Sequence, residues 1–312
     1  MRVVYMGTPD FAVRPLKAIA EAGYEVVGVY TQPDKQKGRG RKFQASEVKI
    51  AAKELGLNVY QPETLRTDEA VSELKGLNPD IIIVAAYGQI LTEQVLNIPK
   101  YGCVNIHASL LPKYRGASPI EASIINGDEK TGVTIMYMEK GLDTGDMISQ
   151  GEIEIGRHNT ETLTVELSKI GAELIVEAMK AIEAGTAERT PQNDEESTYA
   201  GKLTKAMGEL DFSKSAAELE RLIRGLYPWP CAYTFDGERS LKIIDAEAIA
   251  DLTDMADGEA GQIIFVSKKK LVVKCGEGAL SILKLQPEGK KAMDLPAFMN
   301  GNKVEVGDKF GA

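Results

Sequence analysis

Residues 81–86, Ile-Ile-Ile-Val-Ala-Ala, form an unbroken apolar run. A strand with one wet face alternates apolar and polar side chains, so a strand with no polar face has to be covered on both sides. The flanking pattern supplies the cover. Residues 2–7 and 25–31 read as strands, and between them residues 10–22 repeat apolar side chains at helical spacing (Phe11, Pro15/Leu16, Ile19/Ala20) up to Gly23. Ser46 is a helix N-cap, with the helix running to Leu55 and stopping at Gly56. Residues 104–107 and 133–138 read as further strands. Strands interleaved with helices predict an α/β fold, a mostly parallel sheet with right-handed crossovers.

Residues 160–184 read as one long amphipathic helix, with Leu163, Leu167, Ile170, Leu174, Ile175, Met179 and Ile182 on one side. The pattern then fails. Residues 185–205 are polar, which predicts an interdomain linker. Beyond it lie a helix over 216–226 and short β runs at 232–235, 241–244, 262–266, 271–274 and 279–285, separated by turn residues. That spacing predicts a small barrel. Trp229 between Pro228 and Pro230 is expected to anchor this second domain.

The chain has 312 residues, 43% of them hydrophobic, enough for two cored domains and too many for a disordered chain. Cys103, Cys231 and Cys275 are odd in number and far apart, which fits free thiols in a reducing compartment. The first residues carry no signal-peptide pattern, and the longest apolar stretch, 81–87, is too short to span a bilayer. A cytoplasmic protein is expected. The formal net charge of −9 argues against a general nucleic-acid binder. Yet Lys35, Lys37, Arg39, Arg41, Lys42 and Lys49 cluster, which suggests one anionic contact at a defined place.

Chemistry concentrates at residues 103–112, where a short apolar strand ends in a polar cluster and a proline. Asn105 and His107 are two residues apart and so share one face of that strand. Strand ends are where open α/β sheets place their ligands. Residues 141–146, Gly-Leu-Asp-Thr-Gly-Asp, bring carboxylates just after another strand; spacing alone does not separate Asp143 from Asp146. An Asn/His/Asp group suits acyl transfer. A carbonyl attacked by an amine becomes an oxyanion, and each N–H aimed at that oxygen is worth about 2.7–4 kcal/mol. A neighbouring carboxylate orients the imidazole. Gly7-Thr8-Pro9-Asp10 lacks the spacing of a dinucleotide fingerprint and reads as a tight strand-to-helix turn. The two histidines and three cysteines are too scattered for a zinc site, so no metal is expected. His158 reads as surface, and Lys268–Lys270, between two β runs, reads either as a solvated hairpin turn or as an RNA contact.

The run NIHASLLPKYRGASPI (105–120), followed by GVTIMYMEKGLDTGD (132–146), resembles the formyltransferase family that uses 10-formyltetrahydrofolate. TQPD (31–34) leading into GRGRK (38–42), YPWP (227–230) and LQPEGKKAM (285–293) are similar to the branch of that family acting on aminoacylated initiator tRNA. The resemblance implies a Rossmann-like catalytic domain over 1–188, a linker over 189–206 and an OB-like barrel over 207–312. It implies catalytic roles for Asn105, His107 and Asp143, and a folate loop at Ser109, Leu110, Leu111 and Pro112. Tyr87, Gln89 and Ile90 fall on a second folate-lining stretch. Arg39, Arg41 and Lys42 fall on the tRNA-gripping loop. The expected co-substrate is 10-formyltetrahydrofolate, the expected partner initiator methionyl-tRNA, and the expected state a monomer away from membranes. Two rivals stand beside this reading: a formyltransferase for an amino-sugar nucleotide, and a non-catalytic RNA- or folate-binding module.

Overall fold

The computed structural model describes residues 1–37 and 42–311. The chain divides into two compact units: residues 1–119, 130–154 and 164–200 in one, residues 120–129, 155–163 and 201–312 in the other.

In chain order the elements up to residue 200 are β1 (Arg2–Gly7), α1 (Val13–Glu21), β2 (Glu25–Tyr30), β3 (Lys35–Lys37), β4 (Lys42–Gln44), α2 (Glu47–Glu54), β5 (Val59–Tyr60), α3 (Asp68–Gly76), β6 (Ile81–Ala85), α4 (Glu93–Leu96), β7 (Cys103–His107), β8 (Arg115–Gly116), α5 (Pro119–Asn126), β9 (Lys130–Tyr137), β10 (Met147–Glu154), α6 (Thr160–Ala184) and β11 (Tyr199–Ala200). Seven strands make one sheet in the order β10-β9-β7-β6-β1-β2-β5. The pairs from β7 through β6, β1 and β2 to β5 are parallel, whereas β9 runs antiparallel to both β7 and β10. This is the expected mostly parallel α/β sheet, with an antiparallel pair at one edge.

All five residues of β6 are buried, as its unbroken apolar run requires. On one face Ile82 and Val84 pack with Val4 and Met6 of β1, with Cys103, and with Ala70, Val71 and Leu74 of α3. Burying each of these Val, Leu, Ile and Met side chains stabilises the fold by about 1.5–3 kcal/mol. On the other face α6 lies close against β7: a Cβ on Gly171 would stand 2.9 Å from Ile106. The expected cap at Ser46 is in place, and Thr67 caps α3 in the same way. Ser46 Oγ accepts from the Lys49 N–H at 3.1 Å, and Thr67 Oγ1 from the Ala70 N–H at 3.3 Å. The helix expected over 10–22 opens with a separate 3-10 turn, Asp10–Ala12, before α1 begins. In the basic stretch the described residues of β3 pair antiparallel with those of β4. Arg39 and Arg41 lie outside the described residues; Lys42 is placed only as a backbone position of β4.

Beyond residue 200 come α7 (Ala216–Leu226), β12 (Ala232–Asp236), β13 (Arg239–Ile249), β14 (Ile263–Val266), β15 (Leu271–Lys274), β16 (Ala279–Pro287), β17 (Met293–Asp294) and α8 (Leu295–Met299). The sheet is antiparallel, in the order β12-β13-β16-β15-β14 with β17 on β16. Leu219 and Ile223 of α7 share one core with Leu241, Ile243, Leu271, Val273, Leu280 and Ile282. A reciprocal capping box between Ser215 and Glu218 starts α7. Trp229 departs from expectation: its residue is 55% exposed, and the buried Leu226 and Cys231 on either side hold this segment instead. No described helix is long and apolar enough to cross a membrane.

Candidate active site

The face of β7 that begins as apolar core at Cys103 turns polar two residues on. Asn105 and His107 are nonetheless buried, at 9% and 5% exposure. Burying an amide or imidazole is costly without hydrogen bonds, so their partners identify the arrangement. His107 Nε2 lies 2.9 Å from the Tyr114 carbonyl oxygen. A carbonyl only accepts, so Nε2 carries a proton and Nδ1 is the ring atom left for other work. Nδ1 stands 3.8 Å from Asp143 Oδ2, and Asn105 Nδ2 stands 3.5 Å from Asp143 Oδ1. Strand β7 and the 139–146 loop thus bring all three expected side chains to one place. The Nδ1–carboxylate separation is longer than a direct hydrogen bond and short enough for the two groups to interact electrostatically.

Asp143 is built into the loop by its backbone as well as its side chain. It adopts φ +54°, the left-handed region, which costs a non-glycine residue about 1–3 kcal/mol and persists only where neighbours enforce it. The Gly116 N–H donates to Asp143 Oδ2 at 2.8 Å. The Gln192 side-chain amide donates to the Asp143 and Gly145 carbonyls, each at 2.8 Å. Gly116 has no substitute at its position. Its φ is +114°, and a Cβ would stand 2.6 Å from the Ala200 carbonyl oxygen. Asp146, the other carboxylate of the motif, is turned to a different partner. It accepts from Arg189 Nε at 3.0 Å, and that guanidinium lies 4.1 Å from the centre of the Tyr137 ring.

Residues 109–112 sit directly after β7. Their polar groups are largely satisfied within the protein. Ser109 Oγ donates to the Lys113 carbonyl at 2.6 Å, and Thr134 Oγ1 donates to the Ser109 carbonyl at 2.7 Å. The Leu111 N–H donates to Thr134 Oγ1, and Gln150 Nε2 to the Leu111 carbonyl. Ser109 and Leu111 are buried, whereas Leu110 and Pro112 keep partly exposed apolar surface. Ile90 is 71% exposed, Tyr87 is buried, and Gln89 braces residues 62–65 through its amide.

Gln192 and Thr198 escaped the sequence reading because both fall in the stretch expected to be a linker. Thr198 Oγ1 accepts from the Tyr114 N–H at 2.8 Å, β11 pairs with β8, and Thr190 pairs with Met147. This stretch is polar because it hydrogen-bonds to the residues around His107 and Asp143. Among the described residues, no group of three or more His, Cys, Asp or Glu side chains is gathered as a metal site would need.

Comparison with known proteins adds to this geometry. Residues 1–179 match the family described as formyl transferase, and residues 202–303 match the formyl transferase C-terminal domain. A methionyl-tRNA formyltransferase of Agathobacter rectalis is 50% identical over 311 residues, covering 99% of each chain. One of Clostridioides difficile is 47% identical over 312 residues, covering 100% of each chain. Among solved structures, an N-formyltransferase of Helicobacter canadensis in complex with folinic acid and dTDP-3-aminofucose superposes with TM-score 0.66 at 20% identity, over 90% of this chain and 98% of that one. HypX of Aquifex aeolicus in complex with tetrahydrofolic acid superposes with TM-score 0.67 at 16% identity. That alignment takes in 98% of this chain, which spans half the length of HypX. At these identities the structural likeness concerns the fold.

Proposed function

The chain belongs to the formyl transferase family, and from that premise we propose that it moves the formyl group of 10-formyltetrahydrofolate to the amino group of methionine on initiator methionyl-tRNA. The observation that carries the chemistry is the meeting of Asn105, His107 and Asp143 at the buried end of β7.

In the reaction, the neutral amine nitrogen bonds to the formyl carbon, and the carbonyl oxygen gains charge. The carbon–N10 bond of the folate then breaks, the amine loses a proton and N10 gains one. Asn105 Nδ2 and a protonated His107 Nδ1 are the donors for the oxygen. The Nε2–Tyr114 bond holds the ring so that Nδ1 faces that oxygen. Asp143 balances the imidazolium and takes part in passing on the amine proton beside Nδ1. The partly exposed Leu110 and Pro112 give a flat ring an apolar seat next to these polar groups. Holding both reactants in line supplies much of the remaining acceleration.

The acceptor is read from two things. The relatives named above match from end to end at about half identity, and the basic residues 35–42 suit the phosphates of a tRNA acceptor end. Arg39, Arg41 and Lys42 are assigned to that contact. An amino-sugar acceptor has little need of such a segment. The deciding experiment offers the enzyme labelled 10-formyltetrahydrofolate with initiator methionyl-tRNA, elongator methionyl-tRNA or an amino-sugar nucleotide. Label transferred to the initiator tRNA in preference to both others is the expected result. Preference for the sugar nucleotide overturns the acceptor assignment, and no transfer to any acceptor overturns the reaction.

A further inference from the structure

We propose that Gln192 is a positioning residue for the catalytic carboxylate, acting through Asp143 and the loop that presents it. The inference rests on the catalytic assignment above and extends it to a segment of the chain 49 residues away in sequence.

Every hydrogen-bonding atom of the Gln192 side chain is used, and its orientation follows from its partners. Arg115 Nε and Nη2 approach Gln192 Oε1 at 3.0 and 2.9 Å. Guanidinium groups only donate, so the atom facing Arg115 is the oxygen and the amide nitrogen points the other way. That nitrogen has two protons and two acceptors, the carbonyls of Asp143 and Gly145, at 2.8 Å each. Both carbonyls belong to the loop in which Asp143 takes its positive φ. A left-handed non-glycine residue relaxes unless it is held, and these two bonds hold it from its carbonyl side.

Arg115 in turn ties the clamp to the carboxylate itself. It directly precedes Gly116, whose N–H donates to Asp143 Oδ2. Backbone and side chain of Asp143 are therefore both referred to β8, one through Gln192 and one directly. The carboxylate sits 3.8 Å from His107 Nδ1, where a shift of the loop by a fraction of that distance alters what the imidazole can do. Misplacement on the order of 1 Å costs about 10²-fold in rate.

Gln192→Glu and Gln192→Met separate the parts of this contact. The glutamate keeps an acceptor for Arg115 but has no protons for the loop carbonyls; the methionine keeps only the shape. Single-turnover and steady-state formyl transfer are measured for both variants, alone and combined with Asp143→Asn, together with their melting temperatures. The expected result is a fall in kcat of about 10²-fold for both variants. KM for each substrate stays within about twofold, and the melting temperature of the glutamate variant stays close to that of the parent. In the Asp143→Asn background the same substitutions cost less than about threefold, because a residue acting through Asp143 has nothing left to position. Normal kcat in both variants overturns the proposal, as does a loss carried by KM or a loss that multiplies fully with that of Asp143→Asn. Normal turnover in Asp143→Asn alone overturns instead the catalytic assignment on which the proposal rests.

Discussion

His107 Nε2 is committed to the Tyr114 carbonyl, so the chemistry proposed for the ring passes through Nδ1. That has a consequence for substitution. The amide nitrogen of asparagine overlays the Nδ1 position of histidine, whereas that of glutamine overlays Nε2. His107→Asn is expected to retain more turnover than His107→Gln, and both fall below the parent; the reverse order, read from kcat, contradicts the assignment of Nδ1. Asn105→Ala removes one of the two proposed oxyanion donors and is expected to lower kcat by about 10²–10³-fold. At this scale the sequence was informative where a short spacing carries geometry. Asn105 and His107, two apart on a strand, share a face whatever else the chain does. It was silent on Asp143 against Asp146. That choice depends on Arg189, which occupies Asp146 from 43 residues away.

Two elements of two residues each, β8 and β11, decide how the site is assembled, and neither is long enough to leave a periodic trace in the sequence. Longer elements did leave one. The apolar run of β6 and helix α7 stand close to where pattern placed them, and α2 where pattern and the Ser46 cap placed it. The polar stretch 185–205 misled for a physical reason. Hydration and a hydrogen-bonding role in a site call for the same residue types, and only tertiary contacts distinguish them. Gly116 makes the role of β8 testable. Its φ of +114° and the 2.6 Å approach of its virtual Cβ to the Ala200 carbonyl predict that Gly116→Ala shifts the β8–β11 pairing. The expected destabilisation is about 1–3 kcal/mol in urea unfolding. Loss of kcat should accompany it, since the Gly116 N–H holds Asp143. A variant with parental stability and turnover would show that the pairing tolerates the methyl group.

For the molecule as a whole, a net charge of −9 and an RNA acceptor are compatible if binding is local. Acceptor affinity should then fall steeply with salt. Arg39→Ala should raise KM for the tRNA far more than KM for the folate; equal effects on both would remove the basic segment from the acceptor contact. The cysteines read as free thiols are free and buried. Burial pushes the Cys103 thiol up to about 12 and the Cys275 thiol to about 11. Since the thiolate is the reactive form, the folded protein should resist alkylation at both positions near pH 8, while the urea-unfolded chain reacts. Mass spectrometry of each site checks this, and rapid labelling of Cys103 in the folded protein contradicts its burial.

The proposed catalysis depends on the carboxylate of Asp143 working beside His107 Nδ1, and one measurement addresses that directly. In Asp143→Asn the shape of the loop residue is kept and the charge removed. The rate of labelled formyl transfer under single-turnover conditions, with both reactants saturating, is predicted to fall by about 10²-fold or more, while the affinities for folate and tRNA are unchanged. A transfer rate within a few-fold of the parent would contradict the account.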